Sequence, residues 1–89
     1  MIQDQVKDTL EDQLLDIFRR SVKKRYRDRV NASARLQADL DMDSLAVVSC
    51  MLVAEEELSL RIFPLEVETG EIRTVGDVIK LVRSVMERA

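Results

Sequence analysis

Asp39-Leu40-Asp41-Met42-Asp43-Ser44-Leu45 is the stretch whose reading decides the fold. Three acids lead into one serine, and a helical apolar pattern begins directly after it. A serine or aspartate ahead of such a pattern ordinarily serves as an N-cap, because its side-chain oxygen satisfies free backbone N–H groups. One cap accounts for one polar residue. It does not account for a hydroxyl at the midpoint of a small acidic chain, beside an apolar stripe with no evident place in a core. Ser44 is therefore read as a covalent attachment point.

Outward from that stretch, the pattern is helical. From about Ser44 to about Leu58 the chain is apolar nearly all round. Val47, Cys50, Met51, Ala54 and Leu58 follow core spacing. Leu45, Val48 and Leu52 form a second stripe at i, i+3 and i+7 that starts beside Ser44. Such a helix is either buried on both sides or shows one face to a partner. On the second reading Leu45, Val48 and Leu52 are a docking strip, and Glu55 and Glu56 give it a charged rim.

A first helix is expected from about Ile2 to about Arg20. Ile2, Val6, Leu10, Leu14, Ile17 and Phe18 make one stripe, and Val22 and Tyr26 extend the spacing to about Arg25. Asn31 to Asp41 reads as an ordered connector, pinned by Leu36 and Leu40. Ser59 to Thr69 carries mixed signals, with Pro64 suited to the first turn of a short helix and Gly70 to its end. Thr74 and Asp77 fit a capping box for a last helix whose apolar residues are Val75, Val78, Ile79, Val82, Val85 and Met86. Three long helices, one short one and a long loop after the first give an all-α fold, a small four-helix bundle.

Composition agrees. Eighty-nine residues suit one domain, 1–89. Apolar residues are 46% of the chain, enough for a core. Three aromatic residues, with Gly and Pro together also three, disfavour a sandwich or barrel. Without histidine, and with Cys50 as the one cysteine, a Cys/His metal site and a histidine-based triad are excluded. Cys50 lies in an apolar run and reads as a small buried hydrophobe. No enzyme is expected, since no general-base or metal constellation is present. The polar start Met1-Ile2-Gln3-Asp4 is no signal peptide, and no apolar run approaches membrane-spanning length, so a cytoplasmic monomer is expected.

The net charge of −3 hides an asymmetry. Arg19 to Arg29 holds seven basic residues against one acid, and Asp39 to Glu71 nine acids against one base. The basic run is either a solvated helix end or a patch for nucleic acid or an acidic partner. With Tyr26 as its one stacking residue and no accompanying motif, nucleic acid is disfavoured.

Three segments together resemble the acyl carrier protein family. Asp43-Ser44-Leu45 is similar to the family's D-S-L at the start of its second helix. Glu55-Glu56-Glu57-Leu58 is similar to that helix's acidic end, and Ile72-Arg73-Thr74-Val75-Gly76-Asp77 to the I-x-T-V-x-D entry to the last helix. The tripeptide alone is common; the three in this order on one helical frame are more specific, and they span almost the whole chain. The resemblance implies 4′-phosphopantetheine on Ser44, placed there by a phosphopantetheinyl transferase that docks on Asp43 among other residues. It implies an acyl cargo held as a thioester, partners that include a loading ligase or acyltransferase, and a ketosynthase or other acyl-consuming enzyme. An anionic phosphodiester suits a helix N-terminus.

There are departures. Asp41 stands where the family usually has glycine, Ala46 and Ser49 stand where fatty-acid-type members often carry acids, and the basic cluster is unusual. The resemblance implies fatty acid, polyketide or other specialised biosynthesis; the departures weaken housekeeping fatty acid synthesis and point to a specialised carrier, for a secondary-metabolite, lipid-modifying or aminoacyl pathway. An aminoacyl or peptidyl carrier, or an unmodified helical interaction module of the same shape, stays open.

Overall fold

The computed structural model describes the backbone of residues 2–63 and 71–88, with the side chains of residues 10–63 and 71–87. Helix α1 spans Ile2–Ser21, a 3-10 helix η1 spans Lys24–Arg29, α2 spans Ser44–Leu58 and α3 spans Val75–Arg88. Among the described residues there is no strand, only an isolated antiparallel bridge between Arg35 and Thr74. The fold is a mostly helical, compact all-α bundle. Its radius of gyration is 12.5 Å, against about 12 Å for one compact domain of this length. The short helix expected near Pro64 lies outside the described residues.

Each helix buries the stripe its spacing dictates. Leu14, Ile17 and Phe18 of α1 are buried, as are Val75, Val78, Ile79 and Val82 of α3. α1 packs against both α2 and α3 and is the central element. On α2 the buried positions are Val47, Cys50, Met51 and Ala54, with Leu58 partly buried. The stripe on α3 fades at its end, where Met86 is exposed.

The extension of α1 to about Arg25 is corrected: the α-helix stops at Ser21. Continued α-helical spacing would set Lys23 near Arg27 and Arg25 near Arg29, like charges one turn apart. The chain instead tightens into η1, where the Arg25 and Arg29 guanidiniums sit 5.1 and 5.6 Å from the Tyr26 ring centroid. Val22 remains buried and Tyr26 half-buried, so the apolar spacing is honoured by a different backbone.

The connector between η1 and α2 is held by its own polar groups. Asn31 Oδ1 accepts from Ser33 N (2.9 Å), and Asp39 Oδ2 accepts from Arg35 N (2.8 Å). Leu36 and Leu40 are buried, as the connector reading expected, along with Val30, Ala34 and Met42. The connector also caps α3: Val75 N donates to Ala34 O (3.0 Å) and Gly76 N to Ala32 O (2.8 Å). The capping box forms as expected, with Asp77 N donating to Thr74 Oγ1 and Thr74 N to Asp77 Oδ2, both at 3.1 Å.

Candidate functional site

The approach to Ser44 is built by three successive backbone decisions. Asp41 adopts a left-handed conformation (φ 56°), which turns the connector toward α2. Its N–H donates to Gln37 O, and Lys23 Nζ reaches its carboxylate at 3.3 Å. Met42 is buried and donates its N–H to Leu36 O (2.8 Å), fixing the entry. Asp43 then caps α2, its Oδ1 accepting from Ala46 N at 2.8 Å.

The cap is thus Asp43, and Ser44 is the first helical residue. The Ser44 side chain is exposed, and its hydroxyl makes no hydrogen bond to a described residue. No hydrogen bond among the described residues takes up the N–H of Ser44 or Leu45. The tip therefore offers a free hydroxyl together with unsatisfied donors at the positive end of a helix.

Beside the hydroxyl lies a cleft of about 370 Å³. Leu36, Met42, Val47, Ile72 and Arg73 line it. Arg35 also lines it, but its guanidinium is engaged by Asp39 (3.4 Å). Asp39 is held below the usual carboxylate range, first by the Arg35 backbone N–H and then by the Arg35 side chain. None of the cleft residues other than Ser44 and Asp43 was singled out as a site residue from sequence. Leu36 and Val47 are legible there as apolar, but their convergence on one hydroxyl is tertiary.

The second stripe of α2 is at the surface at both ends. Leu45 is 74% exposed and Leu52 49%, with Val48 partly buried between them. Val53, not part of that stripe, adds 38% exposure beside Leu52.

The acids at the end of α2 divide by task. Glu55 turns inward: its Oε2 accepts from the backbone N–H of Ile62 (2.7 Å) and Phe63 (2.8 Å). Glu57 makes a two-pronged contact with Arg20 at 2.7 and 2.8 Å, and that guanidinium keeps its carboxyl below the usual range. Glu56 is exposed and has no ion-pair partner among the described residues.

The basic segment is largely spoken for. Arg20 pairs with Asp16 and Glu57, Lys23 with Asp41, and Arg25 and Arg29 cover Tyr26. Cys50 is buried, and burial pushes its thiol up, so it stays protonated at neutral pH. No helix is long and apolar enough to cross a membrane among the described residues. No family model, curated protein or solved structure matches this chain.

Proposed function

We propose that this protein is a carrier of the acyl carrier type, bearing 4′-phosphopantetheine on Ser44. The observation that carries the reading is the exposed Ser44 hydroxyl. Capping of α2 falls to Asp43, so that hydroxyl is left without a structural task, beside a cleft. A buried or cap-bonded serine would not accept a group from an external enzyme.

In the attachment reaction, Ser44 Oγ attacks the β-phosphorus of coenzyme A. The phosphoanhydride bond breaks, adenosine 3′,5′-bisphosphate leaves, and the serine proton passes to a base on the transferase. The tether, once in place, supplies a terminal thiol on which acyl cargo is held as a thioester. The chain's part is to hold Ser44 at a rigid, accessible tip and to present one face to each enzyme in turn. A tethered cargo reaches a docked enzyme at high effective concentration.

Leu45, Val48 and Leu52, with Val53 added, make the docking face, and Glu56 is its free acid. Asp43 serves the transferase as the residue next to the acceptor. Because Glu55 and Glu57 are engaged within the fold, and Ala46 and Ser49 carry no charge, docking leans on apolar contact more than on an acidic ridge. This favours a specialised carrier with its own loading ligase or acyltransferase and its own acyl-consuming enzyme, a ketosynthase being one class.

Incubation with coenzyme A and a promiscuous transferase is expected to add the mass of one phosphopantetheine, and Ser44→Ala to abolish the gain. No gain, where a control carrier is modified, rejects the reading. The exposed apolar face supports a second reading, an unmodified adaptor that binds a protein through α2. There Ser44→Ala leaves function in cells intact and Val48→Asp removes it, whereas a carrier loses function with Ser44→Ala.

A further inference from the structure

The cleft beside Ser44 is more than an entrance to the core. Its volume, about 370 Å³, falls in the range of small-molecule sites, roughly 300–1,000 Å³. Its walls are mixed: Leu36, Val47 and Ile72 are apolar, Gln37 offers an amide, and Arg73 brings a cation. Arg73 makes no salt bridge among the described residues, while the other lining cation, Arg35, is paired with Asp39. The Asp43 carboxylate is turned to the Ala46 N–H. That bond leaves Asp43 its charge, so the cleft carries one unpaired anion beside Ser44 and one unpaired cation, Arg73, among the described residues.

A group attached at Ser44 Oγ begins with a phosphodiester, an anion that cannot lie more than a few bonds from the cleft. Next along pantetheine come a quaternary carbon bearing two methyl groups, then a hydroxyl and an amide. The lining holds a partner for each of these: the Arg73 cation, apolar Leu36, Val47 and Ile72, and the Gln37 amide. We propose that Arg73, Leu36, Val47 and Ile72 form a seat for the proximal half of the tether, with Arg73 as counter-ion to the phosphodiester. This rests on the carrier reading of Ser44. The seat gives the tether two states, one laid along the protein and one free to enter a partner enzyme. Arg73 is a positioning residue in this scheme. A guanidinium also suits a carboxylate on a cargo, so the source of the anion must be tested.

Arg73→Met is the informative variant because the fold uses only the Arg73 backbone: its N–H donates to Asp77 and its carbonyl accepts from Leu36 N. The experiment compares apo protein with the holo form carrying a free thiol, by amide chemical shifts and by the 31P resonance of the tether. The seat predicts that adding the tether moves the amides of Leu36, Val47 and Ile72. It predicts further that Arg73→Met, in protein shown by mass to carry the tether, loses those movements and shifts the 31P signal.

Movements confined to Ser44 and Leu45, with a 31P signal indifferent to Arg73, overturn the seat and leave the carrier reading standing. Cleft movements that arise only after loading a carboxylated cargo also overturn it, and assign Arg73 to that cargo. A protein that takes up no tether overturns both. Ile72→Ala trims the apolar wall without touching the cation; movements at Leu36 and Val47 that persist unchanged there and in Arg73→Met reject the seat independently.

Discussion

Asp41 carries the turn that leads the connector into α2 and Ser44. Asp41 holds φ 56°, a region that aspartate tolerates and β-branched residues do not. Glycine, with no Cβ, would suit this left-handed turn into α2 equally well. Asp41→Val is expected to lower stability by about 1–2 kcal/mol, while Asp41→Gly stays within about 1 kcal/mol of the parent. Urea denaturation of the pair checks this; equal behaviour of the two variants contradicts it. At Gly76, a Cβ would lie 2.9 Å from Ala32 O, a backbone atom hydrogen-bonded to Gly76 N itself. Gly76→Ala must push the connector away from α3, at a cost of about 1–3 kcal/mol by the same measurement. Ser44→Ala, by contrast, should fall within about 0.5 kcal/mol of the parent, because the hydroxyl holds nothing in place.

At the scale of elements, the end of α2 is a junction. Ser59 takes φ 55°, and its N–H and that of Leu60 turn back to Glu55 O, so the helix stops in a left-handed cap. The Glu55 carboxylate then secures the outgoing chain through Ile62 and Phe63. Glu55→Ala leaves two partly buried N–H groups without an acceptor, worth about 1–3 kcal/mol. Hydrogen exchange at Ile62 and Phe63 should accelerate more than exchange in mid-α2; unchanged exchange would sink the assignment. The run Glu55-Glu56-Glu57 looks uniform in sequence but is three different environments, and the helix phase with the neighbouring Arg20 decides which acid is free. The basic run is similar: spacing alone continued α1 through it, whereas the α-helix ends at Ser21 and the chain passes into η1.

For the whole molecule, acid is the informative stress. Asp39, Glu57 and Asp77 all have carboxyls held below their usual range, Asp77 chiefly by the Arg73 and Thr74 N–H groups. A carboxyl lowered in the folded state contributes stability that is present above its unfolded value, about 4. That contribution is lost as pH falls through the folded values. Thermal stability should therefore hold from neutral pH down to about 4 and decline below it. Asp77→Asn should flatten part of that decline and cost the α3 cap at neutral pH. A decline unchanged by Asp77→Asn contradicts the assignment.

Some of this was open to reading from one dimension. Period-3.6 spacing placed α2 and α3, because a helix's buried stripe is a local pattern that survives in sequence. The Thr74/Asp77 box was legible for the same reason: both partners lie within one turn. Serine at the α2 tip was legible as polar, but whether it or Asp43 made the cap was not, since the two differ by one residue and by which side chain turns inward. The exposure of Leu45 and Leu52, the inward turn of Glu55 and the gathering of Ile72, Arg73, Leu36 and Val47 around one hydroxyl depend on how α1, α2 and the connector pack. Sequence alone determined α2, α3, most of α1 and the position of the hydroxyl, because those follow from neighbours three and four residues apart. Tertiary structure alone decided what surrounds it, because residues far apart in the chain meet there only after the core has closed.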